Sequence, residues 1–216
     1  MDAWGLWQLA DSGFPSGGFA HSGGLEALWH LGLVRDEASL TLRLGELGWH
    51  LASSAGPFAA AAHAPGADLA ALDDAQDVVL SNHVANRASR AQGRALLMAV
   101  EAMAALPAVT AARAALPHGH LSVATGACLQ ALGASREEAR RFLLFSAVRG
   151  ALSAAVRLGV LGPLRAQAVL RELLPGLAAA LEATAGLAPA DAAGAAPLLE
   201  VAQAAHDSLY SRLFQS

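Results

Sequence analysis

The stretch SREEARRFLLFSAVRGALSAAVRLG, residues 135–159, constrains the fold more than any other segment of the chain. Ser135 can cap a helix, Glu138 completes a capping box three residues on, and Gly159 offers the left-handed stop. The spacing predicts a helix of about six turns at 3.6 residues per turn. From Phe142 to Leu158 only Arg149 and Arg157 are charged. A helix apolar almost all round belongs at the centre of a bundle. Ser146, Gly150 and Ala154 recur every four positions, which makes a groove where a neighbouring helix can approach closely. Arg149 must find a carboxylate or carbonyls there, because an unpaired buried charge is very costly.

Other helix signals fill most of the remaining chain. Asp36 can cap a helix to about Ser54, and Phe58 to Ala64 reads as a short one after Pro57. Asp68 can cap another to about Leu80, and the next runs from about Val84 to Ala105, ended by Pro107. Val109 to Ala115 is a short candidate, and Leu121 to Leu132 ends at Gly133. Pro163 opens a helix that Pro175 should kink or divide, and Pro197 opens the last. The Gly, Pro and Ala run from Gly186 to Ala196 reads as a loose connector. Strand alternation never lasts and no hairpin turn separates two apolar runs. The expectation is an all-α, single-domain helical bundle of roughly eight to ten helices spanning 1–216.

The chain is 55% hydrophobic with a mean hydropathy of +0.41, so a membrane span has to be tested. The longest stretch free of charge, Ala114 to Ser135, is broken by Pro117, His118, Gly119, His120 and several other polar residues, whereas a spanning helix needs about 20 apolar residues. MDAWGLW lacks the basic start and apolar run of a signal peptide. Cytosolic residence is therefore expected, with no membrane association. A net charge of −4 offers no clustered positive field for phosphate backbones, so no nucleic acid partner is expected. The single Cys128 excludes an intrachain disulfide and a cysteine-rich zinc site.

Catalytic patterns fail on their missing parts. The glycine-rich loop DSGFPSGGFAHSGGLEAL, residues 11–28, precedes a helix as a phosphate cradle would, but all 14 basic residues are arginine and a P-loop needs its lysine. Ser22 in Ala20-His21-Ser22-Gly23-Gly24 distantly resembles a nucleophile elbow, the basis of a serine-hydrolase alternative, yet no strand precedes it. His118 and His120 are weak metal candidates, the basis of a nickel-carrier alternative. No third ligand stands near them, and Cys128 lies about two helical turns beyond. Arg87, Arg90 and Arg94 share one helical face, either solvated or awaiting an acidic protein. No catalytic residue and no cofactor are assigned; the chain does not read as an enzyme.

The opening segment LWQLADSGFPSGGFAHSGGLEAL closely resembles the start of the UreF family of urease accessory proteins, with its S-x-F-P-x-G-x-F-x-H-S-x-G-L-E signature. SNHVANRASRAQGRALL, HLSVATGACLQALG, RGALSAAVRLGVLGPLRAQAVL and the ending LYSRLFQS resemble further segments of that family in the same order. The resemblance implies an all-α, homodimeric, non-enzymatic chaperone that binds UreD (or UreH) and the GTPase UreG on apo-urease, where nickel is inserted with GTP hydrolysis. A role in modulating UreG hydrolysis follows from the same likeness, with Arg87, Arg90, Arg94 and Arg212 as equal candidates.

On that footing Phe14, Pro15 and Phe19 are candidate partner anchors on a flexible loop, the alternative being that both phenylalanines plug the bundle's own core; His21 either orients the loop by hydrogen bonding or passes a metal. Leu209, Tyr210, Leu213 and Phe214 crowd four large apolar groups into residues 209–216, a terminus that should dock on its own bundle or on UreD. Residues 1–24 and 209–216 are thus expected to be partner-dependent segments.

Overall fold

A computed structural model describes residues 3–216; residues 1 and 2, the start of the expected N-terminal segment, lie outside the described residues. Eleven α-helices and no strand are present among the described residues. They are α1 (Ala3–Ala10), α2 (Leu25–His30), α3 (Glu37–Ser54), α4 (Gly56–Ala62), α5 (Leu69–Val79), α6 (His83–Ala104), α7 (Pro107–Ala115), α8 (Leu121–Ala131), α9 (Arg136–Arg157), α10 (Pro163–Ala183) and α11 (Pro197–Ala204). The chain is all-α, with slightly more helices than the sequence indicates, because α1 and α2 are short and α2 follows a left-handed glycine with no capping side chain to announce it.

The local signals work where their chemistry is complete. Asp36 accepts from Ser39 N at 2.8 Å and Asp68 from Ala71 N at 3.0 Å. Ser135 and Glu138 form the reciprocal capping box of α9. Pro175 does not divide α10. It sits on the exposed side, where water can take the carbonyl that loses its N–H partner. The expected loose connector contains a turn at Pro189–Asp191 and is pinned to α3, since Ser53 Oγ donates to Ala193 O at 2.9 Å and Ala193 N to Ser53 O at 3.2 Å.

Helix α9 packs against α2, α3, α4, α8 and α10, the central place that its apolar circumference demands. One core unites Leu28, Leu40, Leu44, Val148, Leu152 and Val169 with Phe214 from the chain terminus. A second gathers Phe58, Leu96, Leu97, Val123 and Leu129, and takes Leu9 from α1. Gly126 lets α8 lie against α4: a Cβ there would stand 2.3 Å from Ala59 O. No helix of the described residues is long and apolar enough to cross a membrane.

Arg149 departs from expectation. Its half-buried side chain makes no hydrogen bond or ion pair with any described residue, and its Nε is buried without an acceptor. Of the predicted Ser146, Gly150 and Ala154 groove, Ala154 is buried in the first core, whereas a Cβ on Gly150 would meet nothing within 4 Å.

Candidate partner-docking face

The opening loop and the chain terminus fold onto each other. Gly17, at φ 76°, leads into a turn at Gly18–Ala20, and Gly23 and Gly24, at φ 64° and 88°, lead into α2. Gly24 is doubly constrained, since a Cβ there would also press on Leu199 and Gln203 of α11 at 3.1 Å. The chain then presents Ser22 and Glu26 to residues 213–216.

Glu26, 1% exposed, is the hub of this junction. Its carboxylate accepts from Leu213 N at 2.5 Å and Phe214 N at 3.1 Å, and its Oε2 lies 2.9 Å from Nε2 of the buried His206. Ser22 N and Oγ both donate to Ser216 O, at 2.7 and 2.6 Å, and Gln215 N donates to Ala20 O at 2.8 Å. His21 Nδ1 lies 2.8 Å from Ser216 Oγ. Burial, and then the Arg87 and His206 charges, hold the His21 imidazole below its ordinary pKa. The Ser22 hydroxyl therefore fastens the tail, and the adjacent imidazole faces Ser216 instead of activating it.

Arg157 completes the clasp from α9. Its guanidinium stands 4.0 Å over the Phe19 ring and 4.2 Å over the Phe214 ring, and Nη1 donates to Phe19 O at 2.7 Å. Asp207 makes the outer tie, accepting a bidentate pair from Arg87 at 2.8–3.1 Å and one bond from Arg212 at 3.2 Å. The Arg87 hydrogen bonds hold the Asp207 carboxyl below the usual carboxylate range.

The anchor candidates divide on this framework. Phe214 is buried at 5% exposure, and Phe14 is half-buried against the second core. Phe19 at 68%, Leu213 at 53% and the fully exposed Tyr210 face solvent, as does Pro15. Trp4 and Trp7 of α1, 73% and 64% exposed and stacked edge to face at 5.1 Å, enlarge the apolar surface. Sequence reasoning passed over these two tryptophans, although three positions of separation on a short helix place them on one face. It also passed over Glu26, His206 and Asp207; a carboxylate inside LEALW was the one local signal.

Arg87, Arg90 and Arg94 line one polar pocket of about 470 Å³ with Asp77, His83 and Asn86. Arg90 Nη2 lies 2.7 Å from His118 Nδ1, and Arg94 Nε donates to Arg90 O at 3.1 Å. Beneath them, fully buried Asp73 accepts the backbone N–H groups of His118, Gly119 and His120 at 2.7–2.8 Å. His118 Nε2 meets Asp74 at 3.0 Å; His120 meets Ser89 through Nδ1 at 3.1 Å and Asp77 through Nε2 at 3.0 Å. Every ring nitrogen of the two histidines already has a protein partner. Among the described residues no group of three or more His, Cys, Asp or Glu is arranged to hold a metal ion. Burial lowers the His120 pKa against the pull of Asp77, and raises the Cys128 thiol to about 12.

The UreF family model matches residues 34–174, which takes in Arg87 and Arg157 of the clasp but neither the opening loop with Glu26 nor residues 206–216. Full-length likeness reaches further. The chain is 34% identical to urease accessory protein F of Arabidopsis thaliana over 99% of its length and 92% of the relative. It is 34% identical to urease accessory protein UreF of Paenarthrobacter aurescens, over 98% of the chain and 96% of the relative. Identity to UreF of a Methylobacterium species is 36%, over 94% of the chain and 84% of the relative.

Proposed function

This chain belongs to the UreF family of urease accessory proteins, and from that premise we propose that it is a non-enzymatic, cytosolic adaptor which bridges UreD (or UreH) and the GTPase UreG on apo-urease. In this reading it works as a homodimer and as a chaperone of nickel insertion, with nickel as cargo. The observation that supports it best is the clasp: a polar junction around Glu26, Ser22 and Arg157 ties the backbone of residues 213–216 and the Phe19 ring in place, with Phe19 and Leu213 exposed beside each other's supports. Large apolar groups held rigidly lose little entropy on docking, which is what an interface hot spot requires. The arginine pocket over α6 offers a second surface, suited to carboxylates of UreG, through which its GTP hydrolysis is modulated.

The test is co-purification of the tagged protein with UreD and UreG from the same source, sized by light scattering. Wild type should form a dimer-based assembly. Phe19→Ala combined with Leu213→Ala should keep its helical signature and lose UreD, and removal of residues 209–216 should do the same at reduced stability. Capture of both partners by the truncated chain would overturn the docking role of the tail.

A further inference from the structure

One imidazole stands where it can govern the arginine pocket over α6. The Arg90 guanidinium has only protons to offer, so the 2.7 Å contact between its Nη2 and His118 Nδ1 requires a lone pair on Nδ1. The ring's single proton then sits on Nε2, which donates to Asp74 at 3.0 Å. His118 is thereby held as one neutral tautomer between a cation of α6 and a carboxylate of α5. The other ties on Arg90 are loose. Its Nη1 stands 3.5 Å from Asp77 Oδ1 and from Asn86 Oδ1, and its Nε is buried with no acceptor. Arg94, exposed one turn further on, meets no carboxylate among the described residues, and its Nε donates to the Arg90 carbonyl. One restrained and one unpaired guanidinium therefore line the same pocket.

Protonation of His118 reverses the arrangement. Both ring nitrogens become donors, and the guanidinium loses its acceptor and faces a second cation. The charged and titratable groups around the ring are Asp73, Asp74 and Asp77 of α5, Arg90 of α6 and, on its own segment, His120, with the two ring centres 5.8 Å apart. Asp77 Oδ1 lies 3.9 Å from Nδ1, so an imidazolium can turn to the carboxylate that otherwise steadies Arg90. A hydrogen bond from Asn86 holds the Asp77 carboxyl below the usual carboxylate range, which keeps it ionised. The shortest tie on Arg90 and its counter-ion are lost together. We propose that Arg90 and Arg94 form an oxyanion site of the kind a partner's carboxylate fills, and that His118 is its latch. Neutral, the imidazole holds Arg90 back; protonated, it releases Arg90 to bind beside Arg94. Histidine is the side chain whose charge ordinarily changes between about pH 5 and 8. The proposal rests on the reading of this pocket as a carboxylate-docking surface and adds its regulation.

Sulfate is the probe, because its own charge does not change between pH 8 and pH 6. His83 also lines the pocket and stands 3.4 Å from Asp207, so every chain carries His83→Gln to keep that charge out of the measurement. Binding to the full chain is followed at constant ionic strength by the NMR shifts of the arginine Nε–H groups, assigned with Arg90→Gln and Arg94→Gln. Affinity should rise about fivefold from pH 8 to pH 6, as one charge-assisted contact is added at a partly exposed site. The rise should follow the His118 ring signal, and Arg90→Gln should abolish it. His118→Ala keeps the bonds to Asp73, which use backbone N–H groups, and should bind at the higher affinity at both pH values. His118→Gln, whose carbonyl still accepts from Arg90, should bind at the lower affinity at both. Without sulfate, the Arg90 side chain should gain mobility in NMR relaxation as His118 charges, a readout that needs no His118 variant. Unchanged mobility, a flat affinity profile, or His118→Ala at the lower affinity would overturn the latch and leave the site standing. Sulfate that shifts neither Arg90 nor Arg94 in any chain would overturn the site and the carboxylate-docking reading of the pocket together.

Discussion

Glu26 and His206 meet at 2.9 Å across 180 positions of chain, both sealed from solvent, and the same carboxylate holds the backbone of Leu213 and Phe214. One side chain thereby ties α2 to the chain terminus through three separate contacts. Its removal leaves the buried N–H of Phe214, the part-buried N–H of Leu213 and an imidazole without their partner.

Glu26→Ala should therefore destabilise the protein by about 3 kcal/mol, as expected when a buried, hydrogen-bonded charged partner is lost. Urea denaturation measures the loss, and limited proteolysis should cut residues 209–216 first. A variant as stable as wild type, with a protected tail, would show that the tail is held by its apolar contacts alone.

Arg157 distinguishes charge from bulk. Arg157→Met keeps most of the packing stem but removes the cation from between Phe19 and Phe214, and should cost about 1–2 kcal/mol for two stacked rings. Arg157→Lys should fall between, because an ammonium lacks the flat face that stacks. Equal stability of the Met and Lys variants in urea would remove the cation–π account.

Acidification should weaken the fold in a defined window. Burial lowers the pKa values of His21, His50 and His120 from 6.5, although Glu200 pulls the second upward and Asp77 the third. Below about 6.5 the unfolded chain then binds more protons than the folded one, so stability is full above that pH and is lost as pH falls toward the folded-state values. Urea midpoints should drop between pH 7 and pH 5, and His120→Gln should flatten part of that slope. A flat wild-type profile would contradict the buried-neutral assignment.

Close backbone approach makes two glycines irreplaceable. A Cβ at Gly93 would lie 2.1 Å from Gly119 O, and one at Gly126 would lie 2.3 Å from Ala59 O. In both cases the obstacle is backbone, which cannot rotate away. Each alanine variant should lose about 2 kcal/mol or more through overpacking, whereas Gly150→Ala, facing open space, should lose almost nothing. Calorimetry on the three variants tests the contrast.

Trp4→Ala with Trp7→Ala should leave thermal stability within about 1 kcal/mol of wild type, because both rings are mostly exposed, yet reduce partner capture in the co-purification assay. Unchanged capture would remove α1 from the docking face.

Legibility in the sequence followed the distance over which each interaction acts. Asp36, Asp68 and Ser135 announced their helices because a cap bonds within three residues. Helix α2 has only six residues and a left-handed glycine as its cap, so it left no such trace. Asp73 is the same lesson at long range: it bonds residues 45 to 47 positions away, and nothing near it in sequence hints at that. The opening motif was legible as unusual, but its bonds to residues 213–216 were not, since apolar residues near a chain end predict docking without naming the surface. Arg149 was readable as an anomaly; only the fold reveals that its Nε is buried without an acceptor.

The clasp also sets an order of events in the cell. Synthesis proceeds from the N-terminal side, so the glycine loop and α2 emerge long before residues 213–216 that fasten them. Glu26 has no Leu213 or Phe214 to hold, and Ser22 no Ser216, until the last of these has cleared the exit tunnel. A chain synthesised only as far as residue 212 lacks every one of these ties, so the opening loop and residues 213–216 take their mutual arrangement only after the whole span between them has been made.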